Sequence, residues 1–423
     1  MLAPAVFTSK VPPADPAAAP HSAGHAAHWR GPLWTLALLL AGLSTIGPFS
    51  VDTYLPAFDA MGRSLPASPL QLQQTLSAYL FGFAFMQLFH GALADALGRR
   101  PVVLWGLAIF TLASLGCTLT RDVNLLIALR ALQGMSAGAG MVLARVIIRD
   151  LFDPVAAQKM MAKVTLFFGV APAIAPMIGG LIISVASWPW IFAFLTAVGA
   201  VLWTVILRQL PETLAPPNRQ PFNLRNLMHG YREVGADARF LLLALTSSVP
   251  FNGMFIYILS SPTFLGKHLG LAPTQFFWLF CVTIGGIMAG AALSGRLAGR
   301  ITPRKQVALG YALMAAMAAV NVAGNALAPA ALPWALLPAG FIALGWAMAM
   351  PAVTLLVLDT FPTRRGMASS LQGAMGGALN GVTAGVIAPI AMVSPLGLAT
   401  ASALMIATGW AAWWLVRGRV QLA

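Results

Sequence analysis

The chain has 423 residues, of which 59% are hydrophobic and only 9% are charged, and its mean hydropathy is +0.81. A soluble globular protein carries about 25% charged residues, so this composition excludes one and indicates an integral membrane protein. The apolar runs are about twenty residues long, which favours membrane-spanning helices over the shorter alternating strands of a barrel. We therefore expect an all-α fold, because helices satisfy their own backbone hydrogen bonds in lipid.

Residues 1–30 are rich in Pro and Ala and are predicted to form a disordered cytoplasmic tail. They lack the charged start, apolar middle and cleavage site of a signal peptide. His21, His25 and His28 lie close together there, but no further ligands accompany them, so we predict no metal site.

Twelve apolar segments follow the tail, and most of the loops between them are short. A longer polar stretch, 211–238, divides the chain into a predicted first half, 31–210, and second half, 239–423. The predicted segments are 32–57, 71–93, 101–119, 124–148, 160–184, 188–209, 239–262, 273–297, 305–327, 333–358, 367–392 and 396–416.

The distribution of basic residues predicts the orientation. If the N-terminus is cytoplasmic, nearly all of the 25 Lys and Arg residues fall in cytoplasmic loops, and the outer loops hold only Arg63, Arg121 and Lys267. Cytoplasmic loops of membrane proteins carry such an excess, so both termini are predicted to be cytoplasmic. The net charge of +14 is therefore a topology signal, and no nucleic-acid partner is expected.

The two halves also resemble each other. Ser68-Pro-Leu-Gln71 leads into segment 2, and Ala272-Pro-Thr-Gln275 leads into segment 8, which occupies the same place in the second half. Parallel repeats of this kind place a substrate cavity between two bundles that rock against each other. We therefore predict two parallel six-helix bundles.

Asp52 is the only acidic residue that falls well inside an apolar segment. An ionisable group at membrane depth is costly and by default functional, so Asp52 is the candidate proton carrier. The alternative is that Asp52 caps a helix near the membrane surface.

The loop after segment 2 has the pattern Gly-x-x-x-Asp-x-x-Gly-Arg-Arg, which resembles the signature loop of the major facilitator superfamily. Its glycines are expected to permit a tight turn and close backbone approach. We predict a cytoplasmic latch in which Asp150 pairs with one of the arginines, and the alternative is a cytoplasmic anchor without a gating role. The predicted gating residues of this latch are Gly91, Asp95, Gly98, Arg99, Arg100 and Asp150.

Segment 4 contains Arg130 and Gln133, which share nearly one helix face. The Arg-x-x-Gln-Gly pattern resembles the superfamily motif proposed to assist proton transfer, although a structural Arg bonded to helix-end carbonyls is the alternative. Arg130 is predicted to pair with Asp52 at similar depth in the outer half of the membrane. Arg145, further towards the cytoplasm, is predicted to belong to the latch.

Segment 5 contains Pro172, Pro176, Gly179 and Gly180, which resemble the motif that marks antiporters in the same superfamily. The prolines are expected to kink the helix, and the small residues to allow another helix to approach closely. The middle glycine of the motif is unmatched here. These four residues are predicted to act in gating.

Further short patterns resemble the bicyclomycin/chloramphenicol-resistance (Bcr/CflA) type of bacterial drug:proton antiporter. One departure is Pro189, where that family usually has Arg. The resembling stretches are Asp52-Thr-Tyr-Leu-Pro-Ala57, Trp188-Pro-Trp-Ile-Phe192, Leu210-Pro-Glu-Thr-Leu214, Ser261-Pro262 and Leu271-Ala-Pro-Thr-Gln-Phe276.

Aromatic and amide residues in the helices expected to line the cavity are the candidate substrate contacts, since aromatic rings suit flat lipophilic drugs. For each of them, packing between helices or against lipid is the alternative. The predicted substrate-binding residues are Tyr54, Tyr79, Gln87, Gln133, Asn252, Phe255 and Tyr257.

The resemblance implies proton-coupled efflux of small lipophilic drugs across the bacterial inner membrane by alternating access. Export of one endogenous metabolite, such as an amino acid or siderophore, stays open as an alternative, as does proton-coupled import. A membrane enzyme is disfavoured because no zinc-protease, phosphate-loop or Ser/His/Asp pattern is found. We expect no cofactor, since the proton gradient would drive transport. The expected partners are protons, the lipid bilayer and a small-molecule substrate, and the expected oligomeric state is a monomer.

Overall fold

The computed structural model describes residues 31–152, 154–297, 300–361 and 364–418, and the described secondary structure is entirely helical. The predicted N-terminal tail and its three histidines lie outside these residues. The long helices of the first half are α1 (Leu33–Asp52), α3 (Pro69–Leu97), α4 (Arg99–Leu119), α5 (Val123–Leu151), α6 (Pro154–Val185) and α7 (Pro189–Gln209), with the short α2 (Phe58–Ser64) after α1.

The predicted polar loop contains the helix α8 (Leu224–Gly235), and six further spans follow it. The helices of the second half are α9 (Ala238–Leu259), α10 (Phe277–Leu297), α11 (Pro303–Leu327), α12 (Leu337–Thr360), α13 (Arg365–Val382), α14 (Ala388–Ala391) and α15 (Pro395–Val416). A π-helical turn, Thr383–Ile387, joins α13 to α14, so that the two cross as one span.

The number of spans agrees with the sequence. Eleven of the described helical stretches are long and apolar enough to cross a membrane. Helix α6, Pro154–Val185, is 32 residues long and covers the twelfth predicted span, 160–184. The all-α membrane fold is thus confirmed, whereas the orientation of the termini and the limits of the two halves stay predictions.

Local sequence explains where several helices begin. Proline occupies the first helical position of α3, α7, α11 and α15, where its fixed φ suits a helix and its missing N–H costs nothing. Ser68 and Gln71 form a capping box at the start of α3, in which each side chain accepts from the other residue's backbone N–H.

The two halves meet along α3 and α13. The Ser77 hydroxyl donates to the Gly381 carbonyl at 2.7 Å, and the Gln73 amide lies 3.7 Å from the Met392 sulfur. At the predicted outer side, a Cβ added to Gly180 of α6 would lie 2.7 Å from the Pro273 carbonyl oxygen. These contacts close the interface between the halves at its predicted outer end.

Within the first half, glycine allows α3 and α5 to approach closely. A Cβ added at Gly134 would overlap the backbone carbonyl of Tyr79, and one added at Gly82 would overlap that of Ala131. Small residues at such crossings are the usual means of packing helices tightly in a membrane. The crossing is important because Tyr79 belongs to the candidate site.

We predict that Gly134→Ala lowers the melting temperature of the detergent-purified protein, because its methyl group has no room against Tyr79. Overpacking of this kind costs about 1–3 kcal/mol. The matched control is Gly285→Ala, since a Cβ added to Gly285 meets nothing within 4 Å. That change should be neutral or stabilising by about 0.5–1 kcal/mol. Equal melting temperatures for the two variants would contradict the prediction.

Candidate functional site: a buried arginine and a cytoplasmic cluster

Arg130 on α5 is fully buried, and aromatic rings surround it. Its guanidinium carbon lies 4.3 Å from the centre of the Tyr79 ring, 4.7 Å from that of Tyr54 and 5.9 Å from that of Phe192. An aromatic face attracts a cation, and the attraction is strongest where water is excluded. The two tyrosines therefore compensate part of the cost of burying this charge.

Hydrogen bonds fix both tyrosines in place. The Tyr79 hydroxyl donates to the Gly47 carbonyl at 2.8 Å and accepts from Ser50 at 2.8 Å. The Tyr54 hydroxyl shares a 2.6 Å hydrogen bond with Thr75. Arg130 is thus held by the end of α1 and by α3, whose side chains are themselves immobilised.

Arg130 and Gln133, which are predicted to share nearly one helix face, are hydrogen-bonded in the structure. The Arg130 Nη1 donates to the Gln133 Oε1, and the Gln133 amide donates to Ser114 on α4 at 2.6 Å. Two guanidinium nitrogens, Nε and Nη2, have no hydrogen-bond partner although they are buried. Buried donors without acceptors are costly, and here they leave hydrogen-bonding capacity for another group.

Asp52 is the last residue of α1 and is 5% exposed. No ion pair joins it to Arg130, whose Nε and Nη2 also remain unpaired, so the predicted pairing does not form in this structure. The Asp52 carboxylate makes no hydrogen bond or ion pair with any described residue and caps no described helix. It is a buried acid without a partner, which rules out the capping alternative for this arrangement.

The antiporter-like glycines lie beside Asp52. A Cβ added to Gly179 on α6 would overlap the carbonyl oxygen of Thr53, so this position has no room for a side chain. Gly180 makes the outer contact with the second half described above. Pro172 and Pro176 lie inside α6, where neither can donate a backbone hydrogen bond. The predicted close approach at Gly179 and Gly180 is therefore confirmed, while the gating role stays a prediction.

The cytoplasmic cluster forms around Arg99. Its Nη1 lies 2.5 Å from Asp95 and its Nε lies 3.3 Å from Asp150, which confirms the predicted contact between Asp150 and one of the arginines. Arg100 instead donates to the Leu207 carbonyl at 2.6 Å. The side chain of Arg99 is only 9% exposed, so its two carboxylate partners provide the charge compensation that burial demands.

Glu212 completes this cluster and was missed by the sequence analysis. Its carboxylate accepts from the backbone N–H groups of Arg99 at 2.9 Å and Arg100 at 3.3 Å, so it caps the start of α4. Gly98, which precedes α4, has φ +103°, where a side chain is strained, and an added Cβ would also meet Glu212. Gly98 is therefore required at this turn.

Two sequence predictions about the cluster are wrong. Gly91 lies inside α3, and a Cβ added there would meet nothing within 4 Å, so it serves neither a turn nor a close approach. Arg145 makes no hydrogen bond or ion pair with the described cluster residues, because it lies more than one turn of α5 before Asp150. Among the residues that the structure describes, the bonds of the cluster reach only the first half and the following loop, and its gating role stays a prediction.

The predicted substrate-binding residues occupy different environments. Tyr54, Tyr79 and Gln133 belong to the Arg130 site. Tyr257 lies inside the second half, where Asn321 donates to its hydroxyl at 2.6 Å, and it does not join the others.

Of the remaining three candidates, only Gln87 is seen to contact the other half within the described residues. Asn252 is buried and donates to Asn380 at 3.0 Å. Gln87 of α3 faces Gly373 of α13. Phe255 is half-buried and stacks on Phe251 with ring centres 5.2 Å apart.

Comparison with known proteins matches this architecture. The sequence profile of the Major Facilitator Superfamily matches residues 38–385. The Bicyclomycin resistance protein homolog of Haemophilus influenzae is 32% identical over 277 residues, which cover 65% of this chain and 69% of the relative. Multidrug resistance protein D of Escherichia coli (strain K12) is 30% identical over 372 residues, covering 85% of this chain and 89% of the relative.

Solved structures share the fold. The peptide transporter POT in complex with sulfate superimposes with a TM-score of 0.74 at 13% identity, covering 93% of this chain and 96% of that one. The nucleoside transporter NupG (D323A mutant) gives a TM-score of 0.70 at 12% identity, covering 91% and 100%. At such low identity these similarities concern the fold alone.

We predict that Glu212→Ala destabilises the protein by about 1–2 kcal/mol, because it removes the cap of α4 and leaves two backbone donors unpaired. The control is Glu233→Ala in α8, whose carboxylate is half exposed and pairs with Arg364 at 2.6 Å. A surface pair of that kind contributes about 0–1 kcal/mol. Thermal unfolding of both purified variants makes the comparison, and a smaller loss for Glu212→Ala than for Glu233→Ala would refute the capping role.

Proposed function

This chain belongs to the Major Facilitator Superfamily, in its bicyclomycin/chloramphenicol-resistance branch, and we propose that it exports small lipophilic drugs in exchange for protons. It is a transporter and not an enzyme, and a multi-pass protein of the bacterial inner membrane. The drug-resistance names of its relatives support drugs as the substrate class. We further propose that the proton gradient is the only energy source, that no cofactor is needed, and that the monomer is the working unit.

The proposal rests on polar groups of Asp52 and Arg130 that have no hydrogen-bond partner. Arg130 keeps two buried guanidinium nitrogens without acceptors, and Asp52, which is 5% exposed, makes no hydrogen bond with any described residue. Burying a charge without a partner costs several kcal/mol, so the protonation state of Asp52 depends on whether a cation or a hydrogen-bond donor is nearby. Binding of a proton and binding of a drug can compete at such a group.

The tyrosines connect the two charged groups. Tyr79 contacts the guanidinium with its ring, and its hydroxyl bonds to Gly47 and Ser50 on α1, the helix that ends at Asp52. A shift of the end of α1 on protonation of Asp52 therefore alters the position of the ring that stabilises Arg130. This provides a physical route from proton binding to the packing of α1, α3 and α5.

The energy of the gradient suffices for concentrative export. One elementary charge moving down a potential of 100 mV releases about 2.3 kcal/mol, which corresponds to a roughly fiftyfold concentration ratio. Alternating access then requires that the outer contacts between the halves, such as Gly180 with Pro273, separate in one part of the cycle. Small residues at these contacts permit close packing without interlocked side chains.

We predict that Asp52→Asn abolishes drug-induced proton movement in proteoliposomes while leaving the fold intact, because the amide cannot exchange a proton. The readout is a pH-sensitive dye inside the vesicles after addition of a drug such as chloramphenicol. Asp59→Asn serves as the control, since Asp59 lies on α2 nearby and is exposed. If Asp52→Asn moves protons as wild type does, Asp52 is not the proton carrier.

We predict that Arg130→Lys lowers transport by at least about tenfold, because lysine keeps the charge but loses the planar group that stacks between two rings. Transport is measured as drug uptake into everted membrane vesicles. The control is Arg121→Lys, since Arg121 also lies over an aromatic ring, that of Trp188 at 5.6 Å, but in a loop. Equal transport by the two variants would contradict a role for the guanidinium geometry.

A further inference from the structure

A second cationic group lies in the first half, at a different depth from Arg130. Arg145 is fifteen residues further along α5, which corresponds to about 22 Å of helix. Its side chain is accessible, and it forms no hydrogen bond or ion pair with any residue in the described part of the chain. It therefore remains a guanidinium without a counter-charge inside a predicted membrane span.

Arg145 lines a cavity of about 260 Å³ between α1, α5 and α6. Four of the lining residues recur on α5 at the spacing of one helix face, and Met161 and Val164 of α6 and Ser44 of α1 complete the wall. Ser44 donates its hydroxyl to the Leu40 carbonyl of its own helix at 2.8 Å. The α5 lining residues are Met141, Ala144, Arg145 and Ile148.

Arg145 is the only charged residue of this described lining, and the rest of the wall is almost entirely apolar. The nearest acid along α5 is Asp150, which already binds Arg99 and accepts from Thr213 at 2.9 Å. A guanidinium offers several donors in a planar fork, which matches a carboxylate or similar anion. Methionine side chains adapt to ligands of varied shape.

We propose that this cavity binds amphipathic anions, whose apolar body contacts the two methionines and whose carboxylate or sulfonate pairs with Arg145. The volume is slightly below the range of about 300–1,000 Å³ for drug sites, so it suits a small ligand or one end of a larger one. The same cation disfavours positively charged drugs, and specificity commonly includes such repulsion.

The position of the cavity gives it a role in the transport cycle. Ser44 lies eight residues before Asp52 on α1, so the cavity lies about 12 Å below Asp52 on the predicted cytoplasmic side. This step rests on the proposed function, since an exported substrate enters from that side. The cavity is then an inner subsite that selects for negative charge before the substrate moves towards the predicted outer side.

The test compares two aromatic probes of similar size and different charge, 1-naphthoate and neutral 1-naphthamide. Binding is measured by titration calorimetry on the full-length protein in phosphatidylcholine nanodiscs, with no proton gradient. We expect the wild type to bind naphthoate roughly tenfold more tightly than naphthamide. We expect Arg145→Gln to remove this preference and leave naphthamide binding unchanged, and Arg145→Lys to retain part of it.

The matched control is Arg149→Gln, one turn further along the same helix, since Arg149 is exposed and does not line the cavity. It should keep the wild-type preference. Met161→Trp fills the cavity and keeps the Arg145 charge, so it should weaken the binding of both probes. This variant tests the site if Arg145→Gln fails to fold. No preference in the wild type, or an unchanged preference in Arg145→Gln, overturns the proposal.

Two further arms separate the alternatives. Adding phosphatidylglycerol to the nanodiscs weakens naphthoate binding if an anionic lipid headgroup occupies the cavity, and leaves it unchanged if the occupant is a soluble anion. Both outcomes support an anion site and identify its occupant. Asp52→Asn should keep the naphthoate preference while losing proton coupling, so failure of the drug:proton exchange proposal is distinguishable from failure of this one.

Discussion

The buried charge of Arg130 is the constraint on which the first half of the protein depends. A guanidinium without water must find acceptors or aromatic faces, and here Gln133 and the rings of Tyr54 and Tyr79 supply them. The Tyr79 ring reaches the charge because Gly134 lets α3 approach α5 until the Tyr79 backbone touches it. One electrostatic requirement therefore positions α3, α5 and the end of α1. These segments meet it with small residues at their crossing and with side chains fixed by hydrogen bonds.

The sequence predicts the features that depend on one segment or on charge alone. Hydrophobic length predicts the spans, and the i,i+3 spacing predicts that Arg130 and Gln133 share nearly one helix face. The contact of Arg99 with Asp150 follows from opposite charges at the same predicted membrane depth. Glu212 could not be found in this way, because it caps α4 from a loop 113 residues away, and only the packing of α7 against α4 brings it there. A glycine before a helix, Gly98, was the only local sign that a distant cap was needed.

Arg130 and Arg145 lie on the same helix, but the surroundings of the two guanidinium groups differ. Arg130 is enclosed by fixed side chains, so it organises the protein around itself, whereas Arg145 faces open volume and can act on something that enters. Sequence position does not distinguish these roles, since both residues are arginines in one apolar segment. The difference arises from neighbouring helices: α3 and the end of α1 cover Arg130, while small and flexible residues of α1 and α6 leave space beside Arg145.

Two adjacent glycines of α6 link the backbone beside Asp52 to the interface between the halves. Gly179 touches the carbonyl of Thr53, the residue after Asp52, and Gly180 touches the carbonyl of Pro273 in the second half. Separation of the halves at the outer side moves Pro273 away from Gly180, whereas Gly179 and Thr53 belong to the same half and stay in contact. The movement therefore uncovers α6 one residue from its contact with the backbone beside Asp52. Under the proposed function, a proton carrier at this point gains access to water from the predicted outer side through the same movement that exposes the substrate.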